Sequence, residues 1–324
     1  MEKGKAAGPG RFAVWRGLCA HLRGRIVGQD EAMAALADAL LAGEMGHTPA
    51  GRPRSLILIL GPTGTGKTKA VLEASRHLFG TDAIARVNVG EFASADRVPL
   101  LLGTAAGERG ILGGKLSRLR DAGGRILLLD EIEKAHRTVS DLFLGMEAAE
   151  ITLANGESVD LSDFHIVATS NLGSADAIEM EGVARASIRR HLEQEASSHF
   201  RPEVFARFTA VVACHPLTRE AQLEICRQIL EEETSLQSAV LSRRFRHAHC
   251  VLVGPGARRR LVSEGYHRRL GARPMRNTIE RRVRGALVDS QLRGVLGPGV
   301  RECVLLPGER EGLRVALTRT TITL

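Results

Sequence analysis

The chain has 324 residues, 44% of them apolar and 25% charged, with a formal net charge of +8. That make-up fits a soluble globular protein with length for one large domain and a smaller companion. No apolar run approaches the ~20 residues of a membrane span, the N-terminus lacks a signal-peptide core, and Cys19, Cys214, Cys226, Cys250 and Cys303 lack CxxC spacing, as expected of reduced thiols in a cytoplasmic protein.

Residues 1–16 are rich in Gly, Pro and Lys and read as a flexible segment. Helices are expected over Val14 to Arg25 and Asp30 to Leu41, then a loop from Gly43 to Arg54. Leu56 to Leu60 is a strand-like apolar run, followed by Gly61-Pro62-Thr63-Gly64-Thr65-Gly66-Lys67-Thr68 and a helical stretch, Lys69 to Leu78. This is a complete phosphate-binding loop in its strand–loop–helix context. Its glycines let backbone N–H groups curl around phosphate oxygens, and the helix directs its positive dipole end at them. Lys67 can reach the β- and γ-phosphates, and the Thr68 hydroxyl can hold Mg²⁺. A nucleoside triphosphate is the ligand class this implies.

Further strand-like segments are Ala85–Val89, Ile126–Leu129, Phe164–Ser170 and Thr209–Ala213, mostly separated by helical stretches. Such alternation predicts an α/β fold with a parallel sheet between helical layers. The third strand ends in Asp130-Glu131, at the carboxyl end where open α/β sheets place ligands. Asp130 is positioned to hold Mg²⁺ through water, and Glu131 to polarise an attacking water. After Pro216 the texture changes: a helix capped by Thr218 and running to about Leu236, a strand at Cys250–Val253, a helix from Gly256 to Glu264 and a longer one opened by Pro274. Glu302–Leu306 and Leu313–Leu324 alternate like a strand pair about Pro307-Gly308. The boundaries this suggests are 1–16, 17–215 for the large domain and 216–324 for the small one. Arginines crowd from Arg258 to Arg293, but with Trp15 and Tyr266 the only Trp and Tyr, stacking platforms for bases are few. A solvated, salt-bridged face is favoured over a nucleic-acid surface.

Several stretches resemble the AAA+ superfamily, and within it the second ATPase module of the ClpA/ClpB class of unfoldases. They are Ile26-Val27-Gly28-Gln29-Asp30, the string from Asp130 to His136, Thr169 to Gly173, Phe200-Arg201-Pro202-Glu203 with Phe205-Ala206-Arg207, and Gly271-Ala272-Arg273-Pro274. The likeness spans roughly Leu22 to Leu306. It implies a P-loop NTPase core followed by a mainly helical lid with C-terminal strands, and ATP with Mg²⁺ as ligands. Ile26 and Val27 would cradle adenine, and Asn171 would orient the water or sense the γ-phosphate. Arg207, with Arg201 as a second candidate, would reach into a neighbouring subunit's nucleotide. Arg273 would contact the γ-phosphate from the small domain. An arginine acting in trans requires an oligomer, and the family's ring is usually a hexamer.

The chain departs from the pattern at the threading loop. Where the family has an aromatic residue between glycines, this sequence has Gly107-Glu108-Arg109-Gly110. Ile111 and Leu112 follow as a possible displaced grip, and a second, polar pore loop is expected at Ala154 to Glu157. No Ile/Leu-Gly-Phe/Leu tripeptide for docking a protease lies between Asn171 and Phe200, so a self-standing ring is expected. Two functions remain open. One is an ATP-driven remodeller of a dedicated protein client, and the other an ATP-gated assembly module presenting a surface to a partner or DNA.

Overall fold

The computed structural model describes residues 9–317 apart from 105, 106, 108, 109, 181, 247, 248, 255, 310 and 311. The chain divides into two compact units that part between Pro216 and Leu217. The first opens with helices α1 (Pro9–Arg25) and α2 (Asp30–Glu44), then β1 (Ser55–Leu60), α3 (Lys67–Phe79) and β2 (Ala85–Asn88). It continues through α4 (Val98–Leu102), α5 (Ile111–Asp121), β3 (Ile126–Asp130) and α6 (Arg137–Glu147). A hairpin of β4 (Glu150–Thr152) and β5 (Ser158–Asp160) precedes β6 (His165–Ser170), α7 (Ser174–Glu179), α8 (Arg185–His199), α9 (Pro202–Phe205) and β7 (Ala210–Ala213).

Five of these strands form one parallel sheet in the order β2-β3-β6-β1-β7. All six residues of β1 are buried, which suits a strand enclosed on both sides and both faces. Alternation divides its side chains between two cores. Leu56, Leu58 and Leu60 join a cluster with residues of α5, α6 and α8, whereas Ile57 and Ile59 pack with residues of α1, α2 and α3. Burying a Leu or Ile in this way contributes about 1.5–3 kcal/mol. The result is a three-layer α/β unit whose loops after β1, β3 and β6 emerge together at the carboxyl end of the sheet.

The second unit comprises α10 (Arg219–Phe245), β8 (Cys250–Val253), α11 (Ala257–Gly265), α12 (Arg273–Leu292), β9 (Glu302–Pro307) and β10 (Leu313–Leu317). Its sheet runs β10-β9-β8, with β8 parallel and β10 antiparallel to β9. Cys226, Leu230, Leu261, Met275, Ile279, Val283 and Leu305 are among the residues of its separate core. Among the described residues no helix is long and apolar enough to cross a membrane.

Several boundaries differ from expectation. Helix α1 begins at Pro9, so residues 9–16 are helical rather than flexible; Trp15 is buried and meets the Phe12 ring edge-on at 5.2 Å. Residues 1–8 lie outside the described residues. Helix α10 continues nine residues past Leu236, to Phe245. Side-chain bonds from Gln237 to Glu233, Ser238 to the Thr234 carbonyl and Ser242 to the Ser238 carbonyl brace that extension, and Leu241 is buried beneath it. Only Leu313–Leu317 of the expected final strand is described.

At the amino end of the sheet sits a chain of hydrogen-bonded polar side chains. The His165 ring lies 2.8 Å from Ser55 Oγ through Nδ1 and 3.1 Å from Glu44 Oε1 through Nε2, and Arg54 holds the same carboxylate at 3.0 Å. With a carboxylate at Nε2 the ring donates there, so Nδ1 accepts from the Ser55 hydroxyl. The spacing matches a Ser–His–Glu hydrolase triad, yet Ser55 and His165 are buried and the group serves as an internal brace. Burial pushes the His165 pKa below its ordinary value, against the pull of Glu44. Burial works to raise the Glu44 pKa, but His165, Arg54 and Arg125 outweigh it and hold the carboxyl below the usual range. A ring kept neutral in the folded state binds fewer protons than the unfolded chain below about pH 6.5, so its stabilising contribution is present above that pH and declines as pH falls. We expect the urea midpoint to drop between pH 7.5 and 5.5, and His165→Gln to flatten that dependence. An unchanged slope in the variant would contradict the assignment.

Candidate functional site

The loop from Gly61 to Gly66 joins β1 to α3 at the sheet's carboxyl end. Two of its glycines are required by their surroundings. Gly61 (φ 130°) lies where a Cβ would come within 2.3 Å of the Cys214 carbonyl oxygen, and a Cβ on Gly66 (φ 101°) would sit 3.1 Å from Ile26 Cγ2. The chain therefore turns tightly between β7 and the segment entering α2 and launches α3 at Lys67 with its first N–H groups directed outward.

Lys67 is 8% exposed. Its Nζ donates to Gly61 O at 2.5 Å, Pro62 O at 3.0 Å and Asn171 Oδ1 at 2.9 Å. Thr63 Oγ1 donates to the same Asn171 oxygen at 3.2 Å, and Thr65 Oγ1 to Pro62 O at 2.8 Å. Burial depresses the Lys67 pKa, opposed by Cys214, Glu133, Asp130 and Glu131. The ammonium thus sits on neutral oxygens with carboxylates nearby, a cation arranged for a stronger anion than its own loop supplies.

Thr68 Oγ1 lies 3.5 Å from Asp130 Oδ1, which also accepts from Thr169 Oγ1 at 2.8 Å. The other oxygen of Asp130 accepts from Arg86 Nε on β2 at 2.6 Å. A hydroxyl beside a carboxylate is an oxygen donor set that suits a hard divalent cation such as Mg²⁺. The next residue, Glu131, ends the strand in a left-handed backbone conformation (φ 60°, ψ 48°). Its Oε2 pairs with Lys134 Nζ at 3.0 Å, and its N–H donates to Thr169 Oγ1 at 3.3 Å. Asn171, just past the end of β6, donates through Nδ2 to Glu133 Oε1 at 3.2 Å.

The fold therefore gathers Gly61 to Thr68, Asp130, Glu131 and Asn171 into one cluster, with Ile26 against its Gly66 side. Sequence reading gave no role to Thr169, Arg86, Glu133 or Lys134. Three of these lay inside the quoted strings, but Arg86, on a short edge strand, carried no motif signal. Arg207 is half-buried in the turn after α9, its N–H on the Val204 carbonyl at 3.1 Å. Arg201 is tied within its own chain to Asp141 and to Glu203. Arg273 is the exposed first residue of α12 in the second unit. Glu108 and Arg109 lie outside the described residues. The displaced grip suggested for Ile111 and Leu112 is split: Ile111 is exposed, but Leu112 is buried in the core, because α5 starts at Ile111 and turns the next residue inward. Residues 154–157 form the tip between β4 and β5, closed by Leu153 N–H on Glu157 O at 2.8 Å and tethered by Ala154 N–H on Leu102 O at 3.0 Å.

Two family models match in succession, one within each unit: an AAA domain (Cdc48 subfamily) over residues 52–211 and the C-terminal D2-small domain of ClpB protein over residues 217–303. The chain belongs to the AAA+ ATPases of the ClpA/ClpB class. Similar relatives include the chaperone protein ClpB of Pseudomonas putida, 37% identical over 66% of this chain and 26% of that protein. Chaperone protein ClpB 1 of a Nostoc species is 33% identical over 71% of this chain and 27% of its own length. A closed-state cryo-EM reconstruction of Hsp104 with ATPγS and FITC-casein superposes with a TM-score of 0.78 at 26% identity, covering 95% of this AAA+ chain and 52% of that one. The chain spans about a quarter of the length of the curated relatives it matches.

Thr169 joins the two acidic residues, receiving the Glu131 N–H and donating to Asp130. Replacing it by Val keeps the shape and leaves a buried carboxylate oxygen and a backbone donor short of a partner. Thr169→Val should destabilise the fold by about 1–3 kcal/mol in urea titration; an unchanged midpoint would show that water replaces the hydroxyl without cost.

Proposed function

We propose that this AAA+ chain binds ATP with Mg²⁺ in the Gly61–Thr68 loop, hydrolyses it at a seam between identical subunits of a ring, and uses the cycle to remodel a dedicated protein client. The observation that carries the reading is the buried Lys67 ammonium, held on loop carbonyls beside Thr68, Asp130 and Asn171. Loop N–H groups and Lys67 would hold the phosphates, Thr68 and Asp130 the Mg²⁺, and Ile26 and Val27 the base. Bound Mg²⁺ would neutralise phosphate charge.

Glu131 is the general base in this scheme. It must exchange Lys134 for a water, and Asn171, bonded to both Lys67 and Glu133, is assigned to orient that water or sense the γ-phosphate. Arg207, in the turn after α9, is assigned to the neighbouring subunit's nucleotide, with Arg201, which pairs with Asp141 and Glu203, as the second candidate. Arg273 is assigned to the γ-phosphate from the small domain. We divide the chain into an N-terminal segment 1–16, a large domain 17–215 and a small domain 216–324; the two compact units support the second boundary to within a residue, whereas α1 runs across the first.

A homohexameric ring in the cytoplasm is the assembly this reading implies, and five unpaired cysteines fit that compartment. Client choice is assigned to charge at Glu108 and Arg109. Among the arginines from Arg258 to Arg293, Arg276, Arg282, Arg284 and Arg293 are each engaged by an acidic neighbour, which favours a salt-bridged face over a nucleic-acid surface.

Glu131→Gln should retain ATP binding and lose turnover by at least about a hundredfold, while Lys67→Ala should lose binding. Wild-type turnover by Glu131→Gln would reject the assignment. Arg207→Ala should assemble yet fall in kcat by ~10³-fold or more, and doping it into wild-type rings should depress activity more than in proportion to its share. A strictly proportional loss would remove the trans role.

A further inference from the structure

Gln29 is fully buried, and both ends of its side-chain amide are used by one distant residue. Nε2 donates to the His215 carbonyl at 2.8 Å, and Oε1 accepts the His215 N–H at 2.9 Å. A side chain here takes the place of a strand partner for the chain just after β7. On one side, His215 follows Cys214, whose N–H donates to Leu60 O at 2.8 Å and whose carbonyl is packed so closely on Gly61 that no Cβ fits between them. On the other side, Gln29 follows Ile26-Val27-Gly28, and Ile26 rests against Gly66 at the far end of the same loop. Gly28 (φ 76°) makes the turn that brings Gln29 back, and the Gln29 carbonyl accepts the Met33 N–H to start α2.

We infer that Gln29 is a positioning residue for nucleotide-base recognition: by clipping residues 26–29 to His215 it sets the base-binding segment at a fixed distance from the phosphate loop. The inference rests on the reading that Gly61–Thr68 holds the triphosphate and residues 26 and 27 the base. Phosphate contacts come from the loop and Lys67, whereas the hydrogen bonds of Gln29 run to His215 and to the start of α2. Base contacts depend on where Ile26 and Val27 stand: Ile26 is buried in the core beneath β1 and rests against Gly66, and the amide clip pins the residues that follow it to His215.

The two halves of the ligand can therefore be separated by experiment. Binding of ATP and of inorganic tripolyphosphate, each with Mg²⁺, is measured by calorimetry on the full chain and on Gln29→Met, which keeps the side-chain length and lacks both hydrogen bonds. The expected result is a dissociation constant for ATP raised about tenfold or more, with tripolyphosphate binding unchanged and the preference for ATP over UTP reduced. Equal weakening of ATP and tripolyphosphate would show a general structural role and overturn the inference, as would an unaltered ATP-to-UTP ratio. Should Gln29→Met not fold by its thermal melt, Gln29→Glu keeps the bond from the His215 N–H, loses the other, and is held to the same criteria. A wild-type chain that binds neither ligand would instead reject the nucleotide reading itself, and this inference with it.

Discussion

A lysine ammonium removed from water normally carries a large solvation penalty, met by pairing or by loss of the proton. Lys67 meets it with two loop carbonyls and an asparagine oxygen, all neutral, while Asp130, Glu131 and Glu133 act on it from nearby without forming an ion pair. The loop can keep this arrangement only because Gly61 lies flat against Cys214 and the three strands β6, β1 and β7 are locked in register behind it. A buried cation with neutral partners is poised to exchange some of them for phosphate oxygens. The affinity of the site and the rigidity of the central sheet are thus one constraint.

The acidic half of the site is organised by the chain's own cations and hydroxyls. Asp130 divides its oxygens between Arg86 and the hydroxyls of Thr68 and Thr169, and Glu131 is paired with Lys134. These contacts differ in burial. Asp130 is 5% exposed and held from several sides, so its carboxylate has little rotational freedom. Glu131 sits beyond the strand end on a left-handed backbone, and its pair with Lys134 is at the surface, where such pairs are worth about 0–1 kcal/mol. A fixed carboxylate beside a releasable one suits a division between holding a metal and activating a water.

Sequence reading succeeded where information is contiguous. Buried parallel strands are continuous apolar runs, and β1, β3 and β6 were visible within a residue or two for that reason. The phosphate loop was legible because its glycines, Lys67 and Thr68 are consecutive and follow a strand. Helix limits were less so: α1 starts in a Gly/Pro/Arg-rich stretch and α10 outruns its apolar pattern on Ser and Gln side chains that bond back to the preceding turn. The polar supports of the site were invisible because they are long-range. Gln29 meets a residue 186 positions away, and Arg86 one 44 positions away. No spacing rule foretells such pairs, since each depends on strand order, here on β1 lying between β6 and β7 and on β2 lying beside β3.

The two ends of the same strands have been given opposite tasks. At the amino end, Ser55, His165, Glu44 and Arg54 form a chain of hydrogen bonds that Arg54 continues to Asp163, with Ser55 and His165 buried and offering no approach to a substrate. At the carboxyl end, Lys67, Asp130, Glu131 and Asn171 are joined by contacts of which several are long, neutral or exposed. Strand register links them: His165 is paired with Ser55 at one end of β1 and β6, and Ser170 with Leu60 at the other. A one-residue slip of β6 would break the brace and displace Asn171 from Lys67 together, and it would also turn every core side chain of the strand to the opposite face. The polar brace and the hydrophobic alternation therefore specify the same register, and that register is what brings an asparagine 104 residues away onto the lysine of the phosphate loop.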